Sequence, residues 1–234
     1  MIAHVESIPD FDAFGVRGFT TTRLAGSFGS GSAEPVRDVI GRWDGLRKAL
    51  SASGAARLAT SAQVHGATVT RHQPGWEGWL RGNAADGHFS AERATALAVT
   101  IADCVPVFVA HPSGAVAVLH SGWRGTAARI VERGIAGFAG LGLAAADLRI
   151  HLGPSICGRC YEVSPDVVAQ LTGRRVDGPE TVDLRSIIAG HASAAGVRSI
   201  AISPWCTRHH NDRFFSHRAG DAGRQVGVIV GLDT

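Results

Sequence analysis

Residues 96–120 read ALAVTI–ADC–VPVFVA–HPSG–AVAVLH, and this stretch decides the fold class. Its three apolar runs are Ala96–Ile101, Val105–Ala110 and Ala115–His120, broken at Asp103-Cys104 and Pro112-Ser113-Gly114. Each run is too short for a core helix and is rich in residues that suit a pleated surface. Neither face of any run is polar, so these strands must be covered on both sides rather than facing water.

Working outward, Phe14 to Arg23 predicts an early strand through Thr20, Thr21 and Thr22, and Gly26, Gly29 and Gly31 mark a loop. Val36, Val39, Ile40, Trp43 and Leu50 recur at helical spacing. Arg57–Ala62 and Ala67–His72 predict two strands meeting at Gly66, followed by a loop over Pro74–Asp86 that carries Trp76 and Trp79. Beyond the centre, Ala127, Ile130, Val131, Ile135 and Phe138 share one helical face. Leu148–Leu152 predicts a strand ending at Gly153-Pro154. Helices are expected at Pro165–Leu171 and Leu184–Ala195, and strands at Ser199–Ser203 and Gln225–Val230. No repeat or Pro/Ser linker divides the chain, so residues 1–234 are expected to form one α+β domain with mixed sheets.

Composition excludes more than it selects. With 234 residues, 45% of them hydrophobic and 18% charged, the chain has ample material for a core and lacks the signature of disorder. Its 23 basic and 20 acidic residues leave a net charge of +3, too balanced for a nucleic-acid or anionic-membrane partner. Lys48 is the only lysine. That arginine bias fits either genome composition or anion binding by guanidinium forks. Four cysteines are too sparse for a disulfide scaffold. No basic region followed by an apolar stretch opens the chain, and no membrane-length apolar run follows, so a cytoplasmic setting is expected.

Three residues stand at expected strand ends: His65 in Gln63-Val64-His65-Gly66, Cys104 after Asp103, and His120 before Ser121-Gly122-Trp123-Arg124-Gly125. Two imidazoles and a thiolate suit a catalytic zinc site, which keeps a fourth position open. Their long spacing fits no short zinc motif, and each also reads as an ordinary strand-end histidine or buried thiol. A helix expected from near Gly125 would offer unpaired N–H groups, with Arg124, to an anion. Cys157-Gly158-Arg159-Cys160 joined to Cys206 and His209 reads as a closed Cys3His zinc site, a redox pair, or packed free thiols. Phe214-Phe215-Ser216-His217-Arg218, with Asp221, Gly223 and Arg224, reads as a purine-stacking and phosphate-contact segment or as a strand anchor with a charged turn.

In this order the chain carries Thr20-Thr21-Thr22-Arg23, Gln63-Val64-His65-Gly66, Ala102-Asp103-Cys104-Val105-Pro106 and His120-Ser121-Gly122-Trp123-Arg124-Gly125. Gly153-Pro154-Ser155-Ile156, Cys160-Tyr161-Glu162-Val163, Phe215-Ser216-His217-Arg218 and Gly223-Arg224 follow. Together these motifs resemble the laccase-domain, or YfiH-like, family, whose members are also called multicopper polyphenol oxidases or peptidoglycan editing factors. The resemblance spans about residues 14–230. It implies a four-layer α/β/β/α fold and a zinc ion on His65, Cys104 and His120. It also implies phosphorolysis of adenosine, inosine or methylthioadenosine and deamination of adenosine, with nucleoside and phosphate as partners. Within that reading Asp103 and Cys104 are the catalytic candidates. Arg23, Arg124, Ser216 and Arg218 are the candidates for substrate contacts.

Two departures matter. Leu24–Gly31 runs straight on towards the helix without the family's usual glycine pair and asparagine turn, and Cys157 stands where glycine is commoner. Two other chemistries remain. Copper-dependent phenol oxidation is one, although a single His2Cys site holds one metal and oxygen reduction by a laccase needs several. The other is amide cleavage on peptidoglycan precursors, with Cys104 as nucleophile and His120 as base.

Overall fold

The computed structural model describes residues 3–32 and 34–233. In chain order it begins β1 (Val5–Ile8), β2 (Val16–Thr21), α1 (Val36–Ser51), β3 (Arg57–Ser61), β4 (Val69–His72), β5 (Gly78–Gly82) and β6 (Gly87–Ser90). The centre is β7 (Thr95–Ile101), β8 (Val105–Ala110), β9 (Val116–Ser121), α2 (Trp123–Ala127) and α3 (Ile130–Ala139). The chain ends through β10 (Arg149–Leu152), β11 (Glu162–Val163), α4 (Pro165–Thr172), β12 (Glu180–Thr181), α5 (Leu184–Ala194), β13 (Ser199–Ile202) and β14 (Gln225–Gly231).

Two six-stranded mixed sheets form, ordered β1-β2-β14-β7-β3-β5 and β13-β10-β8-β9-β6-β4. They stack face to face, with α1 outside the first and α3, α4 and α5 outside the second. This is the expected four-layer α/β/β/α arrangement. The doubly apolar strands explain it. Along β7, Leu97, Val99 and Ile101 enter the core between the sheets while Ala96 and Ala98 pack beneath α1. Along β9, Val116 and Val118 face the other sheet and Ala117 and Leu119 face the helices. Alternation by twos therefore serves two cores at once.

Several elements differ from the sequence reading. The loop expected over Pro74–Asp86 contains β5, parallel to β3, because Trp79 stacks on Trp43 of α1 at 5.2 Å. The strands β1 and β6 were not anticipated; each has only four residues, too few to show a period. The helix expected over 127–138 is two helices, broken where Arg129 takes a left-handed φ of 58°. The first of these, α2, starts at Trp123 and has only five residues, too short to supply much of a dipole to an anion. No helix among the described residues is long and apolar enough to cross a membrane.

Two buried histidines, His72 of β4 and His88 of β6, meet in the second sheet. His88 Nδ1 lies 2.9 Å from His72 Nε2, and its Nε2 lies 3.2 Å from Ser61 Oγ. Burial, helped by the neighbouring His72, holds the His88 pKa down at about 3 against 6.5 for a free imidazole. The unfolded chain therefore takes up a proton that the folded chain refuses. Stability is full above pH 6.5 and falls as the pH drops from there towards about 3. The loss should approach roughly 1.4 kcal/mol per pH unit. Urea unfolding across this range should show that slope, and His88→Gln should flatten it whatever it does to stability at neutral pH.

Candidate functional site

Strand register assembles the site. In the β8–β9 hairpin Val105 pairs with Ser121 and Pro106 with His120, so Cys104 comes level with the end of β9. The antiparallel β6–β9 pairing sets Gly87 opposite Leu119, and the His120 N–H donates to the Asp86 carbonyl at 2.6 Å. Asp86, Cys104 and His120 thus share one end of the second sheet. Cys104 lies at the corner where the chain passes from β7 in one sheet to β8 in the other. Asp103 makes that turn at a φ of 84°.

His65 arrives from the loop between β3 and β4, with a left-handed φ of 58°. Asp86 holds that loop. Its Oδ1 accepts from the His65 N–H at 2.9 Å, and its Oδ2 accepts from Val64 at 3.2 Å and Gly66 at 2.7 Å. Oδ1 also lies 2.8 Å from His120 Nδ1. One fully buried carboxylate therefore orients both histidines, and it leaves His120 Nε2 free to face Cys104. The sequence reading placed Asp86 at the end of a loop and assigned it no role. Its only local hint is an acidic residue set among small ones in Ala84-Ala85-Asp86-Gly87.

His65, Cys104 and His120 each present a ligand atom, all within 4.8 Å of one another. Gly122 leaves them room: a Cβ there would stand 2.9 Å from Cys104 Sγ and 3.2 Å from His65 Cδ2. Gly125 is constrained as well, since its Cβ would meet the Gly66 carbonyl at 2.9 Å. Converging imidazole and thiolate donors, with a carboxylate behind one histidine, fit a metal ion that retains an open position.

The electrostatics are those of an ion pair. Burial works to raise the Cys104 pKa, but the His120 charge and hydrogen bonds from His120 and His65 outweigh it and bring it down to about 6. Burial likewise works to lower His120, yet the Cys104 charge and the Asp86 hydrogen bond push it up to about 9. For Asp86, burial is again overcome, by His120 and the Gly66 N–H, so its carboxyl titrates below the usual range.

The three residues line a cleft of about 1020 Å³. Arg124 and Arg218 also line it, stacked over Trp123 at 4.2 Å and Tyr161 at 5.1 Å. Arg23 and Ser216 do not line it. The Arg23 guanidinium is committed to Asp221 at 2.6 Å and to the Asn211 carbonyl at 2.8 Å, while Ser216 is buried and caps a turn by accepting from the Ala219 N–H. Phe214 is buried and Phe215 is wedged between Arg23 and Gly223, so the purine-stacking reading of that pair finds no support. Asp103 lines the cleft, but its carboxylate accepts from Thr207 Oγ1 and from the Arg218 N–H, both at 2.6 Å, which is the work of a brace. Of the unusual segment 24–31, Phe28, Gly29, Ser30 and Gly31 become a wall of the cleft. Phe28 packs edge-on against Trp43 at 5.2 Å, and Trp43 Nε1 donates to the Phe28 carbonyl at 3.0 Å.

Two outcomes follow. Removing the charge of the group that backs the His120 ring and holds the His65 loop, in Asp86→Asn, should weaken metal binding by about 10–100-fold in competition with a chelating indicator. Between about pH 6 and 9 the metal-free pair holds a thiolate and an imidazolium, so each ion bound must displace the His120 proton. Calorimetric titration in buffers of different ionisation enthalpy should report release of about one proton per ion in that window.

Comparison with known proteins shows the fold and the family. The chain is 35% identical over 182 residues to a protein of Streptomyces coelicolor named purine nucleoside phosphorylase, covering 74% of this chain and 75% of the relative. It is 32% identical over 237 residues to one of Mycobacterium tuberculosis with the same name, covering 92% and 91%. The crystal structure of the hypothetical protein YfiH of Bacillus licheniformis superposes with a TM-score of 0.87 at 23% identity, over 99% of this chain and 97% of that one. Residues 26–231 match the family described as multi-copper polyphenol oxidoreductase laccase, and the chain belongs to that laccase-domain family.

Proposed function

We propose that this chain is a zinc-dependent purine nucleoside enzyme. It would split adenosine, inosine or methylthioadenosine with phosphate, and deaminate adenosine. The observation that carries the proposal is that an open His2Cys donor set and four arginines outside any ion pair among the described residues, Arg81, Arg124, Arg218 and Arg224, line one cleft. The names of the Streptomyces and Mycobacterium relatives support the same substrate class. Pockets of roughly 300–1,000 Å³ suit small ligands, so a cleft of this size accommodates a nucleoside together with phosphate.

A zinc ion on His65, Cys104 and His120 would supply a Lewis acid and a water that is acidic near neutral pH. The remaining work falls to the protein. In phosphorolysis a phosphate oxygen forms the new bond at the sugar carbon. The purine leaves with the bonding pair and takes up a proton. Arg124 and Arg218 would hold the phosphate; what supports this is that they line the cleft and no carboxylate neutralises their charges, whereas the charge of Arg23 is spent on Asp221. Tyr161, whose pKa burial and the Cys104 charge raise to about 12, stays protonated and can donate into the cleft. Trp79, half-buried at the cleft wall and backed by Trp43, would supply apolar surface for a base.

Laccase chemistry is disfavoured by the donor set, since the cleft residues among the described ones gather ligands for one ion and not for a cluster. The test is incubation with adenosine, with and without phosphate, and chromatography of the products. Adenine released only with phosphate, and inosine formed without it, are expected. Cys104→Ala should lose both metal and turnover. Arg218→Ala should raise the KM for phosphate by about tenfold or more, the worth of one charge-assisted hydrogen bond. Full turnover by a metal-free Cys104→Ala protein would overturn the proposal. Cleavage of a peptidoglycan amide by metal-free protein, lost on alkylation of Cys104, would favour the thiolate–imidazolium pair as a nucleophile instead.

A further inference from the structure

We propose that Cys157, Cys160, Cys206 and His209 hold a second zinc ion, structural and separate from the cleft. All four present ligand atoms within 4.8 Å of one another. His209 lies edge-on to two of the sulfurs, with Nε2 3.2 Å from Cys160 Sγ and Nδ1 3.8 Å from Cys157 Sγ. Tetrahedral zinc with bonds of about 2.3 Å to sulfur and 2.0 Å to nitrogen separates its ligand atoms by roughly 3.5–3.8 Å. The cluster is already close to that spacing. Three sulfurs and an imidazole complete the tetrahedron and leave no open position, which is the signature of a structural rather than a catalytic zinc site. Three thiolates also select a soft or borderline ion over magnesium or calcium.

Local structure builds the cluster from two distant segments. After β10 the chain turns tightly, with the Cys160 N–H donating to the Cys157 carbonyl at 3.0 Å. The segment after β13 runs beside it: Ser155 and Cys206 form a parallel bridge, and the Thr207 N–H donates to the Ser155 carbonyl at 3.1 Å. A turn from Cys206 to His210, closed at 2.9 Å, then swings His209 back over the sulfurs. The Cys157 N–H already points at Cys206 Sγ from 3.3 Å, as backbone amides do around metal-bound thiolates. The cysteines are free and buried, whereas His209 is exposed, so an ion would enter from the histidine side. Zinc with three thiolates carries one net negative charge. Arg159 and Arg185 border the same hollow, and Arg208 donates to the Cys160 carbonyl at 3.3 Å.

The position of the cluster gives it a purpose. The two segments it would join both grip Asp103. The Ile156 N–H donates to the Asp103 carbonyl at 3.0 Å, and Thr207 Oγ1 donates to its carboxylate at 2.6 Å. A zinc clip between them fixes the corner that presents Cys104, and it fixes Tyr161, which adjoins Cys160 and lines the cleft.

The test counts metal. Wild-type protein loaded with zinc and passed through a desalting column should hold two ions per chain. Cys104→Ala removes the cleft site, so its remaining ion reports the cluster alone, whatever the reaction in the cleft proves to be. That variant should retain one ion per chain. The double variant Cys157→Ser/Cys160→Ser should also retain one, and adding both lesions should leave none. His209→Cys should keep the ion, because four thiolates serve as well. Cobalt loaded into Cys104→Ala should show the intense thiolate-to-metal absorption of a three-sulfur tetrahedral site. Should a variant fail to fold, the wild-type protein answers by thiol labelling: the cluster cysteines should react only after a chelator strips the metal. A Cys104→Ala protein that binds no zinc or cobalt would overturn the proposal. So would wild-type cluster thiols that react freely in the presence of zinc, or a Cys157–Cys160 disulfide found in the zinc-loaded protein.

Discussion

The site depends on a single buried carboxylate. Asp86 has no solvent exposure, and a charge in that position is tolerated only because four donors meet it. Three are consecutive backbone N–H groups of the loop carrying His65, and the fourth is the ring of His120. The same interaction therefore meets the cost of burying the charge and sets the separation of two would-be metal ligands. It also offsets the strain of a histidine held at positive φ, because the left-handed turn at His65 is what aims three successive amides at one carboxylate.

Around that anchor, the sheets act as a positioning frame. The residues that meet at the cleft come from a loop, an inter-sheet corner and a strand end, and none of them is near another in sequence. What brings them level is hydrogen-bond register, which cannot slip by one residue without turning the faces of β8 and β9 inside out. Because those strands feed two cores, one beneath the helices and one between the sheets, a slip would lose both. Precision at the site is thus inherited from packing some distance away.

Charge is distributed with similar economy. Arg23, Arg124 and Arg218 are equivalent as letters in a sequence, but only two of them keep their charge available to the cleft. Asp103 shows the converse. Beside Cys104 it has the look of a proton carrier, yet both carboxylate oxygens are engaged in holding Thr207 and the turn at Arg218. A polar residue next to a ligand is as often a brace as a reagent, and its partners decide which.

Much of the architecture was legible in the chain itself. Three apolar runs without a wet face demanded buried strands in a layered α+β fold, and helical spacing located α1 and α3, because period and burial are written in consecutive residues. His65, Cys104 and His120 could be singled out as chemically apt. The four-residue strands β1 and β6, the strand carrying Trp79, and the break at Arg129 were not legible, since short elements show no period and left-handed residues carry no fixed letter. Nor could composition say that Cys206 and His209 fold back onto Cys157 and Cys160, or that Asp86 lies behind His120 and grips the loop of His65. The sequence by itself determined which faces must be buried and which residues are capable of chemistry. Only the tertiary structure decided which of them meet, because strand register and loop return act between residues far apart along the chain, and nothing local encodes the distance between them.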